Sequence, residues 1–187
     1  MAALRPALKR AFDLVGAALL LLPVAPAFVL VSLLLRADGG PALVARRRVV
    51  GRGGREFGLL AFRVPGAEAG AGDGGRPARL GQALRRTALD EVPRLLNVLR
   101  GDMSLVGPRP VTRGELDRSY ALFGGAAAYL SVRPGLVGPC EARGRGALGA
   151  RERVALDVAY AQRPSLRADL AILARTLGMV PRRPEAR

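Results

Sequence analysis

The 187-residue chain contains no histidine, no tryptophan and one cysteine. Without histidine, neither Ser-His-Asp nor Cys-His catalysis is available to it. A zinc site needs clustered cysteine or histidine and is excluded in practice. Because Cys140 is the single cysteine, no intrachain disulfide can form. Any metal is therefore expected to be a hard ion with oxygen ligands, such as Mg²⁺.

Acidic residues are also scarce: 15 stand against 30 basic residues, which gives a formal net charge of +15. Lys9 is the only lysine, so arginine carries almost all of this charge. Such a balance indicates an anionic partner, either nucleic acid, an anionic membrane face or a phosphorylated substrate. Aromatic residues are only 4% of the chain, whereas single-stranded nucleic acid is bound by aromatic and basic residues together. We therefore expect no nucleic-acid partner.

Residues 14–35 contain no charged side chain. As a straight helix they would extend roughly 33 Å, enough to cross a bilayer. Pro23 and Pro26 lie mid-run, where proline kinks or breaks a helix. Basic residues flank both ends, and positive flanks favour the cytoplasmic side. We therefore predict a re-entrant membrane helix with its apex at residues 23–26; a single-span anchor and a cleaved signal peptide are the alternatives.

The remaining chain predicts an α+β, mainly helical fold with a short β-hairpin. Residues 42–50 and 56–64 have strand character, and the GRGG sequence between them is typical of a turn. Residues 66–79 are rich in glycine, alanine and proline and predict a loop. The expected organisation is a basic N-terminus and membrane helix over residues 1–36, followed by a cytoplasmic domain over residues 37–187.

The last third is predicted to be helical. Ser165 is expected to cap a helix that ends near Gly178. Leucine spacing predicts an apolar stripe, which either packs on the core or lies on the membrane surface. The apolar stripe consists of Leu166, Leu170, Leu173 and Leu177.

The stretch of residues 84–110 combines a short amphipathic helix with paired charges. Its apolar stripe consists of Val92, Leu95, Leu96 and Leu99. Gly101 predicts the helix end, and Pro93 is tolerated only in the first turn. We therefore predict that the helix starts at Asp90, with Asp90 as its N-cap and Glu91 beside it. Anions and phosphates also favour this end of a helix.

The sequence of this stretch resembles that of the bacterial sugar transferases, which are monotopic phosphoglycosyl transferases acting on polyprenyl phosphate. In that family an LDELPQL-type segment runs into NVLxGDMSLVGPRP, and residues 89–93 and 97–110 follow it almost without a break. The family's KRxFD, which precedes a proline-broken re-entrant helix, is matched by residues 9–13. Its RPG[LI]TG is approximated by residues 133–138, and its LDxxY is matched by residues 156–160.

Four positions depart from the family pattern. Val49 replaces a usual arginine, Ala61 a lysine, Ala88 a serine, and Glu141 stands where the family usually has an uncharged residue. These departures keep open the alternative of a catalytically degenerate homologue that acts as a membrane-bound binding or scaffold protein.

The resemblance implies transfer of a sugar 1-phosphate from a nucleotide sugar, expected to be a UDP-sugar, to undecaprenyl phosphate with release of UMP. It implies the first membrane step of a surface glycan or exopolysaccharide pathway, at the cytoplasmic face of the bacterial plasma membrane, before downstream glycosyltransferases. By resemblance Asp90 is the nucleophile and a Mg²⁺ ligand, and Glu91 supports the metal or the acceptor. The expected substrate-binding residues are Arg63, Arg85, Arg86, Arg109, Arg133 and Arg145.

Overall fold

The computed structural model describes residues 4–37, 44–63, 84, 89–143 and 148–179. The helices are α1 (Leu4–Ala37), α2 (Arg94–Arg100), α3 (Arg113–Glu115), α4 (Ala126–Ser131), α5 (Ala150–Gln162) and α6 (Leu166–Met179). The strands are β1 (Val44–Val50), β2 (Glu56–Phe62), β3 (Ser104–Val106) and β4 (Gly135–Val137). A mainly helical fold with a small hairpin is thus confirmed.

The long helix α1 passes through Pro23 and Pro26 without interruption. The predicted break into two helices at residues 23–26 is therefore not present, although each proline removes one N–H from the helical ladder. Residues 6–33 are long and apolar enough to cross a membrane, by length and composition alone. Large apolar side chains along it are exposed, among them Leu19, Leu22 and Leu33. Re-entry into the membrane stays a prediction.

Both halves of α1 pack against the rest of the chain. Ala17 is fully buried in the main core. Farther along, Phe28 and Val31 pack with Phe62 and Leu84 in a separate cluster. The Phe28 and Phe62 ring centroids lie 4.9 Å apart. The helix is therefore held at two places, while much of its apolar surface faces outward.

The predicted hairpin is confirmed within the described residues. Strands β1 and β2 are antiparallel, with Val44 opposite Phe62 and Val50 opposite Glu56. The turn is a short 3-10 helix, Arg52–Gly54, with Gly53 at φ 69°. This left-handed conformation favours glycine because a side chain would be strained there.

The central helix begins later than predicted. Leu89–Glu91 form a 3-10 turn, and α2 starts only at Arg94, with Pro93 at the N-cap and no side-chain cap. A proline disfavours α-helical geometry at the residue before it, and here the chain forms a 3-10 turn before Pro93, in contrast to α1, which continues through its two prolines. The prediction that Asp90 is the N-cap is therefore wrong. The predicted end is confirmed, since Gly101 caps the helix at φ 94°.

A second, parallel sheet joins β3 to β4 and was not predicted. Ser104 pairs with Gly135, and Val106 with Val137. A Cβ added to Gly135 would lie 2.1 Å from the amide nitrogen of Gly107. Only glycine permits this backbone approach, which brings the segment after β3 against the start of β4.

Helix α6 packs on the core with only part of the predicted stripe. The Ser165 cap is supported, because Ser165 Oγ accepts a hydrogen bond from the Ala168 amide at 3.2 Å. However, Leu170 is 56% exposed, while Asp169 is fully buried and Ile172 and Leu173 pack on the core. The inward face follows Asp169, whose burial the leucine spacing did not reveal.

Two motif side chains hold the fold together. Asn97 on α2 accepts from the Leu60 amide at 3.0 Å and donates to the Gly58 carbonyl at 2.9 Å, which ties α2 to β2. Asp13 on α1 accepts from Ser104 Oγ at 2.9 Å. Both side chains are fully buried, so each of these motif residues has a structural role.

Candidate active site

The Asp90–Glu91 pair lies in the 3-10 turn before α2, and both residues are half-buried. Glu91 Oε2 pairs with Arg94 Nη1 at 3.0 Å. Side chains three residues apart meet on one face of a helical turn. The turn therefore presents a carboxylate together with a guanidinium, both still partly accessible.

A cavity of about 310 Å³ opens beside Glu91, which we call the Glu91 cavity. Its charged lining residues are Glu91, Arg94, Arg109, Glu141 and Arg153. Its volume is at the small end of the range for ligand sites. Three arginines around so small a space favour an anionic ligand, because guanidinium groups bind phosphate oxygens bidentately.

A rigid loop carries Arg109 into this cavity. Pro108 and Pro110 flank it and fix the backbone φ on either side. The Gly135 amide donates to the Pro108 carbonyl at 2.8 Å, and the Gly107 amide donates to the Val137 carbonyl at 3.0 Å. The second sheet therefore positions the exposed Arg109 side chain.

Glu141, one of the family departures, lines the same cavity. Its Oε2 accepts a hydrogen bond from the Gly138 amide at 2.9 Å. A Cβ on Gly138 would lie 2.7 Å from that oxygen, so glycine is needed for this contact. Glu141 thus places a second carboxylate among the arginines.

Cys140 is not a nucleophile in this cavity. Burial raises the pKa of its thiol to about 12, and the nearby carboxylates of Asp157 and Glu141 add to the rise. The reactive form of cysteine is the thiolate. Cys140 is therefore a neutral thiol at physiological pH, and the carboxylates are the available nucleophiles among the cavity residues described.

Asp157, from the LDxxY match, lies behind the cavity lining and is 1% exposed. The Tyr120 hydroxyl donates to its Oδ2 at 2.5 Å, and Cys140 Sγ lies 3.9 Å from its Oδ1. Burial raises the pKa of Asp157 to about 6, although the Tyr120 hydrogen bond opposes the rise. This carboxylate has a structural role and is inaccessible to substrate.

The structure brings together only some of the predicted substrate-binding residues. Arg109 joins Glu91 in the cavity. Arg63 is exposed at the end of β2 and lines neither the Glu91 cavity nor a second, larger cavity beside Arg133. Arg133 lines that second cavity, and its Nε donates to the Gly101 carbonyl at 2.9 Å. The predictions for Arg85, Arg86 and Arg145 lie outside the described residues.

Arg94 and Arg153 were missed by the sequence reasoning. Arg94 could have been found, because it follows Glu91 by three residues in a helical turn. Arg153 carried no such signal, since it comes from α5 and reaches the cavity only through the tertiary fold.

The carboxylates fit Mg²⁺ if substrate phosphate completes the site. Within residues 4–37, 44–63, 84, 89–143 and 148–179, no group of three or more His, Cys, Asp or Glu could hold a metal. Mg²⁺ is often held by one or two carboxylates plus substrate phosphates. Asp90 and Glu91 would supply such a pair, since both are half-buried in the same turn. Glu91 lines the cavity, whereas Asp90 lies next to it in the chain and is not among the lining residues.

Comparison with known proteins decides the family. The profile of the bacterial sugar transferases matches residues 4–183. The chain belongs to the bacterial sugar transferase family. The resemblance carried by residues 89–93 and 97–110 is thereby confirmed.

Individual relatives extend over most of this chain. The UDP-glucose:undecaprenyl-phosphate glucose-1-phosphate transferase of Caulobacter vibrioides is 42% identical over 90% of this chain and 68% of its own length. The exopolysaccharide production protein ExoY of Rhizobium meliloti is 38% identical over 92% of this chain and 84% of its own length. The UDP-galactose-lipid carrier transferase of Erwinia amylovora is 39% identical over 94% of this chain, which spans only 41% of that protein.

Proposed function

We propose that this chain is a phosphoglycosyl transferase that moves a sugar 1-phosphate from a UDP-sugar to undecaprenyl phosphate. The observation that supports this best is the Glu91 cavity, where Arg94, Arg109 and Arg153 surround a small space beside the Asp90–Glu91 turn. Relatives at 42% and 35% identity are named as undecaprenyl-phosphate sugar phosphotransferases of this kind.

The proposed reaction has two displacement steps. An Asp90 carboxylate oxygen attacks the phosphorus that carries the sugar, and the bridging P–O bond breaks as UMP leaves with the electron pair. An oxygen of the lipid phosphate then attacks the same phosphorus, and the Asp90 carboxylate leaves unchanged. The product is a polyprenyl-diphosphate sugar.

Phosphoryl transfer depends on positioning and charge neutralisation more than on acid–base chemistry. Arg109, on its proline-fixed loop, and Arg94 and Arg153 are suited to grip the diphosphate oxygens. Asp90 and Glu91 would hold Mg²⁺, which when bound offsets charge on those oxygens.

Helix α1 would hold the site at the membrane surface, where the lipid phosphate lies. We propose that it is re-entrant, with both termini on the cytoplasmic face of the bacterial plasma membrane, and that the product passes to downstream glycosyltransferases of an exopolysaccharide pathway. Cysteines introduced at residues 2 and 55, the second at an exposed position, against a background in which Cys140 is buried, should both be labelled from the cytoplasmic side. Labelling from opposite faces would establish a single span instead.

A non-catalytic scaffold is the second candidate, and Glu141 is the observation that favours it, since its carboxylate opposes phosphate binding in the cavity. The other described departures do not bear on the cavity. Val49 is buried in the core, and Ala61 pairs with Ala45 in the hairpin.

One assay separates the two candidates. Detergent-solubilised full-length protein is incubated with undecaprenyl phosphate, Mg²⁺ and a panel of UDP-sugars, and UMP release is measured. With at least one donor the transferase releases many equivalents of UMP when the lipid is supplied, and no more than one equivalent when it is absent. A folded protein that binds UDP-sugar but releases no UMP with any donor would establish the scaffold role.

A further inference from the structure

A second and larger cavity, of about 800 Å³, lies at the other end of the segment that lines the Glu91 cavity. We call it the Arg133 cavity. Residues 131–133 form one wall, and the start of α1 and the connection from α5 to α6 form the others. The Glu91 cavity is lined instead by Gly135, Leu136 and Gly138 from the same segment.

The lining of the Arg133 cavity carries excess positive charge. Lys9 is neutralised, because its Nζ lies 3.4 Å from Asp13 Oδ1 and 2.8 Å from Asp169 Oδ2. Four further cations line the cavity: Arg52, Arg133, Arg163 and Arg167. Within the part of the chain that the structure describes, none of these four forms an ion pair with a carboxylate.

The crowding of these cations is visible at Arg133. Burial lowers the pKa of its guanidinium, and the charges of Arg10 and Arg52 lower it further. Gathering like charges in one concave site costs free energy. An anion bound among them would offset that cost.

Helix α6 adds to the attraction. Its first residues, Leu166 and Arg167, line the cavity, and the N-terminal end of a helix favours negative charge. The Ser165 side chain caps the Ala168 amide. This 14-residue helix therefore directs its positive end towards the same space as the arginines.

The uncharged lining contains a large apolar part, which favours an amphiphile over a free anion. Its apolar residues include Pro6, Leu8, Val132, Pro164 and Leu166, and its polar ones are Ser104, Ser131, Tyr160, Gln162 and Ser165. Leu8 is 56% exposed and begins the long apolar surface of α1. A ligand with a phosphate group joined to an apolar tail satisfies both parts of the lining.

We propose that the Arg133 cavity binds the phosphate headgroup of an anionic phospholipid, as a site separate from the Glu91 cavity. Bound lipid fills the space between α1 and α6 and neutralises the arginines there. It therefore fastens the start of α1 at the membrane surface. The binding itself does not depend on the proposed transferase reaction.

The test uses full-length protein in a neutral detergent. It is titrated with short-chain phosphatidylglycerol, with phosphatidylcholine of equal chain length and with inorganic phosphate, and the melting temperature is followed. The test variant is Arg163→Gln with Arg167→Gln. The control is Arg151→Gln with Arg175→Gln, which removes equal charge from exposed positions on α5 and α6 outside the cavity.

Phosphatidylglycerol is expected to raise the melting temperature saturably in the wild type and the control. The half-saturating concentration should rise about tenfold or more in the test variant, because charge-assisted hydrogen bonds are lost. Glu91→Gln should leave the half-saturating concentration of phosphatidylglycerol unchanged. If the double variant is unstable, the single variants Arg163→Gln and Arg167→Gln serve in its place.

Three results would overturn the proposal. Equal weakening in the test and control variants would show only long-range attraction to a basic protein. Inorganic phosphate as effective as phosphatidylglycerol would show a site for soluble anions. Loss of lipid binding in Glu91→Gln would place the lipid in the Glu91 cavity.

Discussion

Two sets of carboxylates in this chain carry the same charge but lie in opposite surroundings. Asp13 is fully buried and accepts hydrogen bonds from Ser104 Oγ and the Leu105 amide. Asp90 and Glu91 are half-buried in one turn, and Glu91 lines the arginine-lined cavity. A carboxylate sealed among donors can hold an element in place, whereas one open to a cavity can meet a substrate. The surroundings of each carboxylate, more than its place in a family motif, therefore indicate whether its role is structural or catalytic.

The same contrast applies at α6. Asp169 is fully buried, and its carboxylate oxygens lie 2.8 Å from Lys9 Nζ and 2.7 Å from the Tyr160 hydroxyl. It therefore links α6 to α1 through Lys9. Removing one partner from a buried charge network leaves the other uncompensated, which is strongly destabilising. We call the buried carboxylates, such as Asp13 and Asp169, the buried set, and Asp90, Glu91 and the arginines of the Glu91 cavity the open set. Substitutions in the buried set should mainly lower stability, and substitutions in the open set should mainly lower turnover.

The largest effect is expected at Asp90. Asp90→Asn keeps the shape of the side chain but removes the nucleophilic charge, so UMP release should fall by about a thousandfold or more. Because Asp90 is half-buried in a turn, the free energy of unfolding should change by about 1 kcal/mol or less. Turnover and thermal melting measured on the same preparation check both statements. Near-normal turnover in a folded variant would make Asp90 a structural residue.

Asp13→Ala should produce the opposite pattern. It leaves the Leu105 amide without its acceptor and Lys9 without one of its two carboxylates, and we expect a loss of about 3 kcal/mol in the free energy of unfolding. Asp117→Ala, at an exposed position, is the control and should change it by about 0.5 kcal/mol or less. Denaturation in detergent measures both. Equal stability of the two variants would show that α1 is not held through Asp13.

Arg109→Gln sharpens the comparison within the open set. Loss of a charge-assisted bond to phosphate should lower kcat/KM by about 10- to 100-fold, with little change in melting temperature because Arg109 is exposed. Arg118→Gln removes an exposed arginine away from the cavity and should leave kcat/KM unchanged. A similar loss in both variants would point to general charge and not to the cavity.

Asp157 tests the buried set through pH. Its folded-state pKa is raised from 3.8 to about 6, so its contribution to stability is complete below about pH 4 and is lost as the pH rises to about 6. The loss should be on the order of 2 kcal/mol, with no further change above that range. In Asp157→Asn, the free energy of unfolding should no longer fall between about pH 4 and pH 6, as it does in the wild type. An unchanged slope would assign the pH dependence to another group.

The sequence predicts features set by local geometry. The hairpin follows from strand composition around GRGG, and the end of α2 follows from Gly101. The late start of α2 was also within reach, since Pro93 constrains the residue before it. The family match over residues 89–93 and 97–110 is confirmed, while the catalytic role of Asp90 and Glu91 stays a prediction.

Features set by tertiary contact could not be predicted. Strands β3 and β4 have three residues each, too few for a period-two pattern. Leucine spacing could not reveal that the core-facing side of α6 includes a paired, buried Asp169 while Leu170 is exposed. Arg153 joins the Glu91 cavity, and Arg133 joins the other cavity, only because of how distant segments pack.

The most direct test of Asp90 as the nucleophile uses the donor alone. Purified protein is incubated with a UDP-sugar that supports turnover and with Mg²⁺, but without lipid acceptor, and its intact mass is measured. We predict a mass increase equal to one sugar phosphate, together with UMP release of no more than one equivalent, and neither in Asp90→Asn. An adduct that persists in Asp90→Asn, or an active wild type that never forms one, would contradict a covalent role for Asp90.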